Sequence, residues 1–371
     1  MTVKELIARS KAAQAEFAFA TQEQADAAAK AICKVVYDNA EKLGPMAAEE
    51  SRMGSEQDKI AKCRNKSALI WESLKGKKSC DIINRIEERR MIEVAKPVGV
   101  VASIIPSTNP VVTPMSNGAF ALKCRNSVIF APHPRAVKCT KLLVEMFRAE
   151  LKKLGLPEDL VQGLEEVSND LTSELMSAAD MVVATGGMGM VKAAYSSGKP
   201  AIGVGQGNVQ CIIDEDADIA DAVGKIIIGR AFDNGLICLG EQTVFVPEDK
   251  EAEFVAEMKK QGGYLVEGEE NVDKLREGLF PGGGAFSRVV VGMFADQVSD
   301  EIGLGAPKGT RVLFAKAKAL GAGDVLCREK LCPVIAYMTY KTFKEGVAMM
   351  ETNLDHEGKG HSIAVHSNTP E

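Results

Sequence analysis

The sequence predicts an α/β protein built from a doubly wound parallel sheet followed by a second α/β domain. Three observations carry that prediction. From Val98 onward, short runs rich in β-branched residues alternate with stretches of helical periodicity, the pattern of parallel sheets covered by helices on both faces. Two glycine-rich turns, Thr185-Gly186-Gly187-Met188-Gly189 and Gly203-Val204-Gly205-Gln206-Gly207-Asn208, leave strands of that pattern. A length of 371 residues exceeds one ordinary hydrophobic core and calls for two domains.

Ahead of the alternating region the chain reads as a helical cap. Thr21-Gln22-Glu23-Gln24 has capping-box spacing, and Ala25, Ala28, Ile32, Val35, Val36 and Leu43 recur at helical period until Gly44 and Pro45, which are expected to stop the helix. A second helical stretch is expected from about 47 to 74. Strands follow over 98–105, 127–130, 163–167, 181–184, 200–204 and 209–213, with helices over 113–122, 136–154, 171–178 and 188–196. A helix over 217–232 leads into the second domain, where strands are expected over 243–247, 289–291 and 334–338 and a helix over 251–261. The expected division is 1–229 for the cap and the doubly wound domain, 230–355 for the second domain, and 356–371 for a segment returning toward the first.

Composition narrows the function. Apolar residues make up 46% of the chain, charged residues 26%, and the net charge is −6. No dense basic patch interleaved with aromatics offers itself to nucleic acid. No apolar run reaches the ~18–20 residues that span a bilayer, and the N-terminus lacks the apolar stretch of a signal peptide. A cytoplasmic protein is expected. The nine cysteines are scattered, without a CxxC pair or histidines at zinc spacing, so reduced thiols are expected and neither a disulfide framework nor a metal site.

Ligands of doubly wound sheets sit beyond the carboxyl ends of the strands, so the loops there are the places to look for chemistry. Pro106-Ser107-Thr108-Asn109-Pro110 leaves the first strand, and its two prolines fix the path of a loop whose polar tip, Asn109, can donate to an oxyanion; an ordinary Asn-Pro turn is the plainer reading. The Thr185-Gly186-Gly187 turn joins a strand to a helix, where bare amides and the helix dipole favour phosphate. Asp233-Asn234-Gly235-Leu236-Ile237-Cys238-Leu239-Gly240-Glu241-Gln242 delivers one cysteine on a tight turn. Cys238 reads as a nucleophile if its thiolate is accessible, and otherwise as a small core residue. Late in the chain, Glu329 precedes Lys330-Leu331-Cys332-Pro333, and His361 follows a glycine-rich loop as a candidate base.

Taken together, these segments resemble the aldehyde dehydrogenase superfamily, and within it the CoA-acylating branch. The resemblance runs over nearly the whole chain from about residue 90. Ile105 to Pro110 is similar to the family's oxyanion-asparagine loop. Ala131-Pro132-His133-Pro134-Arg135-Ala136 is similar to the segment that reaches the adenosine ribose, Thr185-Gly186-Gly187 to the loop at the pyrophosphate, and Asp233 to Gln242 to the nucleophile motif. Glu329 stands where the family places a carboxylate on the nicotinamide ribose. Hydrolytic members carry a glutamate about 35 residues before the cysteine; here that place is Gly203. The segments Asp324 to Pro333, Ala95-Lys96-Pro97 and Ala193 to Pro200 resemble the acylating succinate-semialdehyde dehydrogenases in particular, and the aldehyde dehydrogenase half of bifunctional aldehyde/alcohol dehydrogenases shares much of them.

The resemblance implies a nucleophile, Cys238, an oxyanion donor, Asn109, and a base, His361. It implies dinucleotide contacts from Pro106, Ser107, Thr108, His133, Pro134, Arg135, Thr185, Gly186, Gly187, Gly203, Val204, Gly205 and Glu329. NADP or NAD is the implied cofactor and coenzyme A the co-substrate, with the basic Arg135 and Lys138 compatible with a 2′-phosphate. A small aldehyde is the expected partner and a homodimer the expected assembly; acetaldehyde is the alternative substrate, and an inactive structural homologue the alternative of another class. Two departures stand out. Leu239 is bulkier than the small residue usual after the cysteine, and the family runs several dozen residues further, so a shortened chain is expected.

Overall fold

The computed structural model describes residues 1–369. They fall into two compact units, one of residues 1–52 and 56–205, the other of residues 53–55 and 206 onward.

The first unit opens with four helices, α1 (Val3–Phe17), α2 (Gln22–Asp38), α3 (Ala40–Ser51) and α4 (Glu56–Leu74). The capping box at Thr21 forms as expected, its hydroxyl accepting from the Gln24 amide while the Gln24 side chain accepts from the Thr21 amide. Gly44 and Pro45 do not stop the helix. The break comes at Asn39, and both residues lie inside α3. A Cβ on Gly44 would lie 2.8 Å from the Ile60 backbone nitrogen, so this glycine serves close packing of α3 on α4 rather than termination.

An antiparallel ribbon follows, β1 (Asp81–Ile86) with β2 (Met91–Ala95), then β3 (Val100–Ile105), α5 (Val112–Lys123), β4 (Ser127–Pro132), α6 (Val137–Lys153), β5 (Val161–Gly163), α7 (Asn169–Ala178), β6 (Met181–Thr185), α8 (Met188–Tyr195) and β7 (Ala201–Val204). The last five strands form a parallel sheet in the order β5-β4-β3-β6-β7. Along β3 the side chains alternate as a two-faced strand requires. Val101 and Ile105 join one core with α2, α5 and α6, while Val100, Ala102 and Ile104 join another with α1, α7 and α8. Strand β5 ends at Gly163, where the sequence pattern would have it begin. Residues 161–163 are the ones that pair with β4, which sets the extent of the strand.

The second unit contains β8 (Val209–Ile213), α9 (Ile219–Ala231), β9 (Glu241–Pro247), α10 (Glu251–Lys260), β10 (Gly263–Leu265), α11 (Glu269–Leu279), α12 (Ala295–Ile302), β11 (Val312–Lys316), β12 (Val334–Tyr340), α13 (Phe343–His356) and β13 (Ile363–His366). All six strands are parallel, in the order β10-β11-β12-β9-β8-β13. Strand β8 therefore pairs with β9 in the second sheet instead of closing the first, and the units divide at 205/206, earlier than 229/230. The segment from 356 stays in this unit, with β13 adding to the free edge of β8. Residues 289–291 form no strand. Val290 is buried, and Gly292 turns at φ 69° so that its carbonyl accepts from the Gly54 amide and from Asn234 Nδ2.

Candidate active site

In the second unit, helix α9 ends at Ala231 and the chain enters three consecutive left-handed residues, Asp233 (φ 49°), Asn234 (φ 53°) and Gly235 (φ 72°). Left-handed backbone is unfavourable for residues with a Cβ, so the turn has to be held from outside. Asn234 donates to the Gly292 carbonyl at 2.9 Å, and the Asp233 carboxylate accepts from the Ser55 amide at 3.3 Å. A Cβ on Gly235 would lie 2.6 Å from the Cys332 carbonyl carbon, so only glycine fits there. Leu236 is buried, Ile237 and Cys238 are half-buried, and Leu239 is 45% exposed. The cysteine is thus placed at the surface of a rigid turn.

Buried charge lies around that turn. Arg230, fully buried at the end of α9, donates through Nη2 to the carbonyls of Lys330 and Cys332, which fixes the segment against which Gly235 packs. The Lys330 ammonium, equally buried, donates to the carbonyls of Leu326 (2.6 Å) and Arg328 (2.8 Å). Its pKa falls to about 7 because burial, and then Arg230, disfavour the charge. Burial pushes the Cys332 thiol up to about 12, which leaves that sulfur protonated and inert. Gln242 pairs with the Lys330 backbone in both directions, tying the start of β9 to the same segment.

Three expected site residues meet at Gly207. A Cβ on Gly207 would lie 2.6 Å from the Cys238 carbonyl oxygen, 2.9 Å from Cys238 Cβ and 3.1 Å from His361 Nε2, so the thiol turn and the imidazole approach each other across a bare glycine. The Gly207 amide donates to Glu329 Oε1 at 2.9 Å. Glu329 is buried, and desolvation raises its pKa above the usual carboxylate value. One of its oxygens is therefore occupied in holding the loop.

His361 lies on the loop after α13, where Gly358 and Gly360 adopt positive φ. Its Nδ1 accepts from the Ser362 amide at 2.8 Å, which leaves Nε2 toward the cysteine, and burial lowers its pKa below the ordinary imidazole value. Glu357, absent from any sequence motif, ties these pieces together. Its carboxylate accepts from the Glu329 amide (2.6 Å) and Arg328 Nε (3.4 Å), and its carbonyl accepts from Asn208 Nδ2 (3.2 Å).

In the first unit, the sheet order makes β3 and β6 the central neighbours at which the direction of strand addition reverses, and the loops beyond their carboxyl ends are those of Asn109 and of Gly186-Gly187. Pro106, Ser107, Thr108 and Asn109 are half-buried and Pro110 is buried. The Asn109 carbonyl accepts from the Thr113 amide as α5 begins, and its side-chain oxygen accepts from Lys62 Nζ at 2.9 Å. After β6, Gly187 caps α8, and a Cβ on it would meet nothing within 4 Å, so the helix N-terminus is open to a phosphate. This fits a dinucleotide, as does the exposed tip His133-Pro134-Arg135 after β4.

Two features of this unit were not legible locally. Glu50 of α3 accepts from the Lys138 and Cys139 amides (2.6 and 2.8 Å), placing a carboxylate at the N-terminus of α6 beside the basic Arg135 and Lys138. On β7, Gly203 donates its amide to Tyr195 Oη, and a Cβ there would lie 2.7 Å from Val191 Cγ1 and 2.9 Å from the Tyr195 ring. A side chain at Gly203 would require the Val191 and Tyr195 side chains to shift.

The Aldehyde dehydrogenase family matches residues 1–274. A succinate-semialdehyde dehydrogenase (acetylating) of Clostridium kluyveri is 47% identical over 371 residues, all of this chain and 82% of the relative. An acetylating aldehyde dehydrogenase from Geobacillus thermoglucosidasius superposes with a TM-score of 0.94 at 36% identity, covering 99% of this chain and 81% of the other. A propionaldehyde dehydrogenase from Rhodopseudomonas palustris, solved with bound CoA and an acylated cysteine, superposes with a TM-score of 0.86 at 27% identity, covering 100% of this chain and 83% of the other. A family match over most of its length and a relative sharing nearly half its residues end to end leave one conclusion: the chain belongs to the aldehyde dehydrogenase family.

Proposed function

We propose that the chain is a CoA-acylating aldehyde dehydrogenase that joins a small aldehyde to CoA through a Cys238 thioester, with NAD or NADP as electron acceptor and succinate semialdehyde as the aldehyde. Gly203 carries the acylating part of this reading. Hydrolytic relatives need a carboxylate at that place to activate water, and here the space is filled by Val191 and Tyr195. A thioester without a water-activating base persists until another thiol takes the acyl group. The succinyl part rests on the 47% identical relative; relatives 40% identical, named for sulfoacetaldehyde, also act on an anionic aldehyde. Acetaldehyde is the second reading, supported by bifunctional aldehyde-alcohol dehydrogenases 35–37% identical.

In this mechanism the Cys238 thiolate adds to the aldehyde carbon and the carbonyl electron pair moves onto oxygen, which the Cys238 amide receives; the oxyanion-donor role that the resemblance implies for Asn109 is part of the same proposal. Such donors each contribute roughly 100- to 1000-fold. When bound, the dinucleotide supplies the hydride acceptor. Reformation of the carbonyl leaves the acyl group on Cys238; the CoA sulfur then adds and the Cys238 thiolate departs. His361 faces this exchange through Nε2. It is neutral at pH 7, and accepting the CoA proton at Nε2 requires its own proton to sit on Nδ1, so the Ser362 contact has to be released. A homodimer in the cytoplasm completes the proposal. Nine free cysteines fit a reducing compartment, and the β1–β2 ribbon exposes Met91, Ile92 and Val94 as a sheet edge for a second copy. Among the described residues no helix is long and apolar enough to cross a membrane.

The test is product analysis with succinate semialdehyde or acetaldehyde, either dinucleotide, and CoA present or omitted. Acyl-CoA is the expected product, and Cys238→Ala is expected to abolish it. Free acid formed equally fast without CoA would overturn the Gly203 argument, and parental activity in Cys238→Ala would remove the enzyme reading.

A further inference from the structure

We infer that Lys62 is the positioning residue of the Asn109 amide, an inference that rests on the proposed oxyanion role of Asn109. Lys62 lies on α4, distant in sequence from the loop it meets, and is only 5% exposed. Its Nζ donates to Asn109 Oδ1 at 2.9 Å. An ammonium offers three donors and no acceptor, so only the oxygen end of the amide can face it. This removes the two-fold ambiguity of an asparagine side chain and leaves Nδ2, with both its protons, on the side away from the lysine.

Without the lysine, the amide of a half-buried asparagine can rotate to present oxygen where an oxyanion forms. That would place a repulsive acceptor in the position of a donor. The two flanking prolines fix the path of the loop backbone but leave the side-chain torsion open. Lys62 settles that torsion. The same contact polarises the amide, drawing electron density toward Oδ1 and strengthening Nδ2–H as a donor. Burying an ammonium is unfavourable unless polar groups meet it, so α4 delivers this charge to a defined place.

The full chain is assayed as parent, Lys62→Met, Lys62→Arg, Asn109→Ala and the Lys62→Met/Asn109→Ala double variant, following reduced dinucleotide with both succinate semialdehyde and acetaldehyde. Alkylation of Cys238 by iodoacetamide and the melting temperature report folding. Asn109→Ala is expected to lose about 100- to 1000-fold in kcat. Lys62→Met is expected to lose on the order of 10- to 100-fold in kcat at nearly constant KM for both aldehydes, because the amide acts in the transition state. Lys62→Arg should recover most of that loss, and the double variant should be no slower than Asn109→Ala alone. A purely structural lysine would instead give multiplying losses and slowed alkylation, which overturns the inference. So does a loss confined to succinate semialdehyde, since the ammonium would then be holding the substrate carboxylate. Should Lys62→Met be unfolded, a Lys62→Arg enzyme as slow as Asn109→Ala would count against the inference and a fast one for it. If Asn109→Ala keeps the parental rate, the oxyanion reading itself falls; if it is slow while Lys62→Met is not, the inference alone falls.

Discussion

Asn109 and Cys238 are held in different ways. Asn109 stands at the carboxyl end of β3, where a doubly wound sheet places its functional loops, and a single side chain from another helix orients its amide. Cys238 follows three consecutive left-handed residues between a helix and a strand, and its turn is held by the side chains of Asn234 and Asp233 and by close backbone packing at Gly235 and Gly207. The donor side can be unmade by one polar substitution. The Cys238 turn is expected to be sensitive to changes of volume at Gly207 and Gly235, where a Cβ would meet neighbouring backbone at under 3 Å.

The largest expected effect tests that volume argument. Gly207→Ala places a methyl 2.6 Å from the Cys238 carbonyl oxygen and 3.1 Å from His361 Nε2. Separating the two groups by about 1 Å is expected to lower acyl transfer to CoA by roughly 100-fold or more. Single-turnover measurement of thioester formation and of transfer to CoA checks this, and a variant with both steps at parental rate would show that the glycine is not the pivot.

A smaller effect comes from His361. An imidazole whose charged form is disfavoured by burial stays neutral at pH values where an exposed one is protonated. The acid limb of the CoA-dependent half-reaction should therefore lie below the ordinary value of about 6.5, and His361→Ala should remove it. A limb at or above 6.5 in the parent would mean that a nearby anion outweighs burial. The smallest effect concerns the first unit. Glu50 puts a carboxylate at the α6 N-terminus beside the proposed ribose contact at Arg135, where it would repel a 2′-phosphate. Glu50→Gln is expected to raise kcat/KM with NADP relative to NAD by about two- to fivefold, the scale of one charge at a helix terminus. An unchanged ratio would place the 2′ position elsewhere.

Much of this was readable in the chain. Cys238, Asn109 and the Gly186-Gly187 turn stand out as candidates through local texture, namely prolines that fix a loop, glycines at a strand end and a lone cysteine in a turn, while their roles and that of His361 come from the family resemblance. The groups that orient them do not stand out. Lys62 lies 47 residues before Asn109, and Glu357 lies 28 residues after Glu329. An isolated lysine or glutamate on a helix looks like any solvated charge until the fold closes. Arg230 belongs to no sequence motif, and only the fold shows that it is buried and donates to the Cys332 carbonyl.

The same division holds for the fold. Alternation of β-branched runs with helical periods determined the α/β class and the position of most strands, since side-chain period is a local property. Which sheet each strand joined was not local. The sequence places Val209–Ile213 in the first domain, and pairing with β9 and β13 puts it in the second sheet instead. Gly44 and Pro45 read as a stop, and packing on Ile60 made them part of a helix. The sequence by itself determined the kinds of element and the reactive groups they carry. Only the tertiary structure decided sheet membership, burial and the orientation of each reactive group, because those depend on contacts between segments that no spacing along the chain encodes.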